Sequence, residues 1–314
     1  MAECFLTVAL CTHNHANRLK RTLRDLESVI PPRHPWELLV VDNGCTDETP
    51  ELLKAVRWPS GWPAVGIVRE DRLGLSHARN RAVAEARGEY ILFFDDDETP
   101  DPRWLVSHEA AMEAFVPDAT GGRIEVLFEG KRPTWLADEL LGFLGKLDHG
   151  NATWLTQPST PFYGGNFAIR RSLLDDVGSF DTQLGRKGHA NNGGEDTEFY
   201  RRLLDAGRRI RWVPEAVIQH RIEAGKLRRR YFLDLHFRQG RAEGARCRGD
   251  RPRLPPKYLL PQIARAYGRA LGKRLRDGAD HSLRLEMNAA YFTGYVLGWI
   301  KYPASRPHAD QDTD

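Results

Sequence analysis

Cysteine is sparse in this sequence. Cys4, Cys11, Cys45 and Cys247 are four among 314 residues, and no two form a CxxC pair. That is too few for a disulfide framework, so a reducing compartment is expected. Long apolar runs are also missing. The longest, from Ala289 to Ile300, has 12 residues, against the roughly 20 that a membrane-crossing helix needs. No basic residue precedes the first apolar run, and Glu3 there is acidic, so no signal peptide is expected. No GxxxxGK(S/T) loop occurs and no GxGxxG follows an apolar run, which leaves P-loop and dinucleotide chemistry without support. There is no internal repeat. These absences predict a cytoplasmic protein.

What is present is ordinary globular usage, 41% hydrophobic and 28% charged, which excludes a disordered or fibrous chain. The length suits one large domain, or one domain with an appendage, and provides ample material for a core. The net charge of +3 conceals an asymmetry. From Arg221 to Arg276 there are 17 Lys/Arg and 4 Asp/Glu, a local charge of +13, so the remainder carries −10. Such a basic region reads either as Arg-rich solvated helix faces or as a surface for anions.

The first hundred residues alternate apolar runs with amphipathic stretches. Phe5–Leu10, Leu38–Val41, Val65–Val68 and Tyr90–Phe94 read as buried strands. Between them, Leu19, Leu23, Leu26 and Ile30 recur at helical spacing, with Asn14 or Asn17 as N-cap. Thr46 or Asp47 caps a second helix, and Ser76 opens a third that Gly88 would close. This alternation predicts an α/β fold with a mainly parallel sheet. Further strands are expected at 123–128, 166–169, 210–213 and 216–218, and a helix at 195–206. The stretch 185–194, GRKGHANNGG, reads as a mobile loop. From about Glu223 the chain looks helical, and a polar tail follows Ala304. The expected division is a catalytic domain at 1–221, a helical basic region at 222–303 and a tail at 304–314.

Ligands of parallel sheets sit beyond the carboxyl ends of the strands, and polar clusters fall there. Asp95, Asp96 and Asp97 crowd three carboxylates after a very apolar strand, which suits a hard cation, Mg2+ or Mn2+. The alternative is a solvated acidic turn or a helix N-cap cluster before Pro100. Asp42 and Asn43 suit a nucleobase or ribose, or simply an Asx-turn. Gly74 to Asn80 puts a glycine before a helix N-terminus with Arg79 one turn in, a plausible anion site. Glu195 and Asp196 begin a helix after a glycine-rich loop, where a general base could stand, or where acidic residues merely suit the helix dipole. His220 follows a short strand and is either a metal ligand or an ordinary histidine.

Together these segments resemble the family 2 glycosyltransferases of GT-A fold. The resemblance spans about residues 5–221. It rests on Val8–Asn14, Val40–Asp47, Gly74–Asn80, Asp95–Asp97, Gly164–Ile169, Gly178–Asp181 and Gly194–Asp196, in the family's order. It implies an inverting, metal-dependent hexosyltransferase of polysaccharide or glycoconjugate synthesis. The donor would be a nucleotide diphosphate sugar, UDP-linked in the first instance, and the acceptor a glycan or lipid-linked hydroxyl. Donor contacts would fall on Thr12, Asn14, Asp42, Asn43, Arg79, Asp95, Asp96, Gly165 and Asn166. Asp95 and Asp97 resemble the ends of a DxD motif, with Asp97, Asp95 and His220 toward Mg2+ or Mn2+. Asp196 matches the catalytic base, preceded by Glu195. Cys11 replaces a frequent proline and Cys45 a frequent serine.

Nothing carries over onto the segment after Arg221. Its basic helices are expected to approach anionic lipid or a lipid-diphosphate acceptor at the inner membrane face. No nucleic-acid reading motif is present. Two rival readings stand beside this one. A sugar-1-phosphate nucleotidyltransferase would want a glycine-rich N-terminal loop, and Leu10 to Arg18 contains no glycine. A non-catalytic sugar-nucleotide or polyanion binder would have no need of a placed base.

Overall fold

A computed structural model describes residues 4–63, 65–185, 193–248 and 254–301. Most of the glycine-rich stretch 185–194 and the tail after Ala304 lie outside these. In chain order the elements are β1 (Cys4–Thr12), α1 (Ala16–Leu26), β2 (Trp36–Asp42), α2 (Thr49–Ala55), β3 (Val65–Arg69), α3 (Leu75–Glu85), β4 (Gly88–Asp95), β5 (Glu98–Pro100), α4 (Trp104–Phe115) and β6 (Ala119–Phe128). There follow β7 (Phe167–Arg170), α5 (Leu173–Val177), α6 (Glu195–Asp205), β8 (Ile210–Ile222), α7 (Arg229–Arg248), α8 (Leu259–Asp277) and α9 (Leu283–Lys301).

The sheet has the order β3-β2-β1-β4-β7-β6-β8-β5. Its first half, β3-β2-β1-β4, is wholly parallel. Beyond β4 the pairings β4–β7, β7–β6 and β8–β5 are antiparallel. The central strands read as unbroken apolar runs because both faces are covered. Tyr90 to Phe94 are each no more than 1% exposed, and strands buried on both faces need no polar alternation. The parallel half therefore delivers Thr12, Asp42 and Asp95 to one edge of the sheet.

Several local expectations are corrected. Gly88 does not close a helix. α3 ends at Glu85, Ala86 leaves it in extended conformation, and Gly88 opens β4 where a Cβ would lie 2.5 Å from the Thr7 amide nitrogen. Neither Asn14 nor Asn17 caps α1; the Asp47 carboxylate reaches across to accept from the Ala16 amide at 3.0 Å. The two strands expected at 210–213 and 216–218 are one. Pairing of β8 with β5 is confined to Ile218–His220, so Pro214 removes no donor from that ladder. β5 and α4 were not anticipated. In α4 the buried polar residues Ser107, His108 and Glu109 interrupt the apolar period.

His108 carries a testable consequence. It is fully buried between the Thr120 hydroxyl, 2.9 Å away, and Asn166 Oδ1, 3.0 Å away. Burial depresses the imidazole from 6.5 to about 4. The folded state thus binds this proton less readily than the unfolded chain. The stability from a neutral His108 is complete above pH 6.5 and is lost progressively as pH falls toward 4, a loss of about 3 kcal/mol. Thermal melts over that window should show the decline, and His108→Gln should flatten it. An equally steep profile in the variant would remove His108 as the cause.

Two compact units emerge from the chain. Residues 4–127 and 145–221 form one, which contains the parallel half-sheet. Residues 128–144 and 222–301 form the other. In this second unit α7 and α9 run parallel and meet backbone to backbone. A Cβ at Gly240 or Gly244 would lie 2.0 Å from the Tyr291 or Tyr295 carbonyl, and one at Gly294 or Gly298 would lie 2.0 Å from that of Phe237 or Arg241. Paired small residues four apart permit this approach.

Candidate active site

The carboxyl ends of β1, β2 and β4 stand side by side, with Thr12 opposite Asp42 and Cys11 opposite Asp95. Beyond β1 and β4 opens a cleft of about 450 Å³. Its walls include Thr12, Asn14, Asn43, Asp95, Asp96 and Asp97, as expected from their positions after strands. They also include His13, His15 and Arg18, which the sequence reading passed over. His13 and His15 lie in the short connection after β1 and Arg18 in the first turn of α1, so the strand-end rule would have found them.

The three carboxylates of the acidic triplet differ in exposure. Asp96 is buried. Its carboxylate accepts from the Thr12 hydroxyl at 2.6 Å and lies 3.1 Å from His15 Nδ1. That bond raises the His15 imidazole. Thr22 clamps the backbone beneath, donating to the Asp96 carbonyl at 2.8 Å. Arg221 supports Thr22 at 3.0 Å and pairs with Asp25. Asp95 and Asp97 remain partly exposed, at 32% and 15%.

Asp97 meets His220 because β8 lies beside β5. The register sets Glu98 opposite His220, and the Arg221 amide donates to the Asp97 carbonyl at 2.9 Å. His220 Nε2 then stands 3.4 Å from Asp97 Oδ2. Among the described residues no three His, Cys, Asp or Glu side chains cluster tightly enough to cage a metal. One carboxylate and one imidazole nonetheless fit a hard divalent ion that keeps its waters and completes its shell on phosphate oxygens.

Arg79 is not an exposed anion contact. It is 1% exposed and sits at the centre of a buried network. Its guanidinium donates to Glu195 at 2.9 Å and to the Gly164 carbonyl at 3.1 Å, and lies 3.7 Å from Asp95. Burial alone would lower its pKa, yet Glu195, Asp95 and Asp196 together hold it above the ordinary value. Glu195, expected at the reaction centre, is itself buried, with its Oε1 on Arg79. Asp196 next to it stays partly exposed. It accepts from the Gly164 amide at 2.9 Å and the Thr197 amide at 2.7 Å. Burial and the adjoining Glu195 raise its pKa.

The same packing explains two glycines. A Cβ at Gly164 would lie 2.2 Å from an Arg79 nitrogen, and one at Gly165 would lie 1.9 Å from Glu98 Oε1. Gly165 thus makes room for a buried Glu98, whose pKa burial and then Asp95 and Asp97 push well up.

Three other expected donor contacts turn inward. Asn166 is fully buried. It accepts from Trp104 Nε1 at 2.8 Å and donates to the Arg123 and Ala216 carbonyls at 2.9 and 2.8 Å. Its amide has nothing left for a ligand. Asn43 forms cleft wall, but its amide donates to the Glu70 and Arg72 carbonyls and accepts from the Gly74 amide at 2.9 Å. Asp42 accepts from the Cys45 amide three residues on at 2.7 Å, one residue beyond the reach of an Asx-turn, and pairs with Arg69 at 3.1 Å. Cys11 and Cys45 are buried thiols that burial pushes to about 12, so both serve as small neutral residues.

Residues 7–178 match the profile of Glycosyl transferase family 2, over half of the chain. The chain belongs to that family. Among curated relatives of this family 2 member, Glycosyltransferase AglE of Haloferax volcanii is 24% identical over 217 residues, 69% of this chain and 66% of the relative. The chain thus spans just under two thirds of that relative's length. Succinoglycan biosynthesis protein ExoM of Rhizobium meliloti is 24% identical over 241 residues, 76% of this chain and 74% of the relative. Among solved structures, the mannosyltransferase PcManGT from Pyrobaculum calidifontis, in complex with GDP-Man and Mn2+, superposes with a TM-score of 0.63 at 20% identity, covering 93% of this chain and 86% of that one. The fold is therefore of GT-A type, an α/β sheet flanked by helices, with a helical basic C-terminal region.

Proposed function

We propose that this family 2 member transfers a hexose, with inversion, from a nucleotide diphosphate sugar to a hydroxyl of a glycan or lipid-linked acceptor. The reading rests above all on one arrangement. Asp95, at the end of the central strand, and Glu195, at the start of α6 and next to Asp196, both pair with the buried guanidinium of Arg79. An acid aimed at a donor and an acid able to act as base are thus held in one frame.

In this reading Asp196 accepts the proton of the acceptor hydroxyl as that oxygen attacks the anomeric carbon. Two backbone amides fix the carboxylate, and partial exposure leaves it open to an acceptor. Arg79 and Glu195 position Asp196 without touching substrate. Thr12, Asn14 and Asp95 line the donor cleft, with His13, His15 and Arg18 able to meet phosphate or ribose oxygens. Asp97 and His220 would hold Mg2+ or Mn2+, which when bound offsets the charge of the departing diphosphate. The solved neighbour with GDP-Man and Mn2+ supports this donor class and this metal, and a relative in succinoglycan biosynthesis supports a polysaccharide setting.

A thermal-shift screen tests the donor. At a hundredfold excess over Kd, a ligand bound only by the folded state stabilises it by about 2.7 kcal/mol, a rise of several degrees. UDP, GDP and dTDP, with their sugars, should separate clearly, and Mn2+ should enlarge the shift of the preferred one. If none shifts the transition with or without Mn2+, the donor reading fails. Turnover should release a nucleoside diphosphate, and pyrophosphate would instead point to nucleotidyl transfer.

A further inference from the structure

We propose that α8 is an amphipathic docking helix for an anionic lipid surface. Thirteen large apolar side chains are exposed among the described residues, and six of them lie between Leu254 and Leu275. On α8, Leu260, Tyr267, Leu271 and Leu275 are 65%, 50%, 58% and 78% exposed. At 100° per residue these four fall within about a quarter of the helix circumference. They form a stripe distinct from the one through Leu259 and Ala270, which is buried. Leu254 and Tyr258, 84% and 58% exposed, lead into it. A continuous apolar stripe of this extent is uncommon on a helix that faces only water.

Charge identifies the occupant. Arg265, Arg269 and Arg276 follow on the side beyond Gly268 and Gly272. Arg265 and Arg269 line a groove of about 230 Å³ against Leu285, Asn288 and Phe292 of α9, and no acidic side chain lines it. Lys273 and Arg274 are engaged with Asp277 and Glu286, whereas Arg265 and Arg269 have no acidic partner among the described residues. An apolar stripe on one face of the helix and unneutralised guanidiniums on another match an amphipathic helix at an acyl boundary beneath anionic headgroups, and long arginine stems can snorkel toward phosphates. No described helix is long and apolar enough to cross a membrane, so α8 would lie in the interface.

Flotation of the full chain with vesicles tests this without reference to any sugar transfer. The parent should float with phosphatidylglycerol-containing vesicles and not with pure phosphatidylcholine, and high salt should weaken it. Leu271→Ser with Leu275→Ser should lower bound protein by about tenfold or more. Both sites are over half exposed, so the melting temperature should hold. Arg265→Gln with Arg269→Gln should erase the preference for the anionic lipid. No flotation of the parent, or leucine variants that float equally well, overturns the proposal. So does a parent that sediments as a dimer and becomes monomeric with the leucine changes, since a second copy would then cover the face.

Discussion

Asp196→Asn is expected to lower kcat by about 10²–10⁴-fold while leaving the thermal shift with donor unchanged. The amide keeps the shape, and its one carbonyl oxygen can still accept from one of the two amides that hold the carboxylate, but it has no lone pair basic enough to take a proton. Donor affinity, set in the cleft after β1 and β4, should not move. Sugar transfer at the parent rate would rule Asp196 out as the base. The pH profile gives a second reading. Because burial and Glu195 raise the Asp196 pKa, the protonated and inactive form persists to higher pH than for an ordinary aspartate. The acid limb of kcat/KM should therefore lie above about 4, with activity lost as pH falls through it. Glu195→Gln removes the neighbouring like charge and should shift that limb downward.

Arg79→Met is expected to cost about 3–5 kcal/mol of stability, because it strands buried carboxylate charge that the guanidinium now neutralises. Glu195 is 4% exposed and depends on that pairing, and the Gly164 carbonyl loses its donor as well. Urea denaturation would measure the loss. Arg79→Lys should recover little, since a single ammonium cannot reach Glu195, Gly164 and Asp95 in the planar fork that Arg79 uses. A parent-like midpoint for Arg79→Met would show that the network is not structural.

The parallel half of the sheet was legible because strands buried on both faces advertise themselves as unbroken apolar runs. The acidic clusters behind β2 and β4 were legible because strand ends carry the site in such sheets. What escaped was the direction in which polar side chains face. Arg79, Glu195, Asn166 and Asn43 look in sequence like ligand contacts, and each is consumed by partners about 30 or more residues away. Burial of a charge is a property of the assembled fold, and no local pattern reports it. α4 was missed for a related reason, since its His108 and Glu109 face the interior and blur the helical period. The Asp97–His220 juxtaposition depends on β8 lying antiparallel to the three-residue β5, a strand too short to leave a signature.

The glycine contacts between α7 and α9 have a consequence for tracing ancestry. Gly240 and Gly244 precede Gly294 and Gly298 by the same 54 residues, and each position lacks space for even one methyl group. Substitution at those four sites, or a change in their separation, is therefore restricted by backbone contact whatever side chains surround them. A paired small-residue ruler of that kind would identify the same C-terminal module in diverged chains whose remaining letters no longer align.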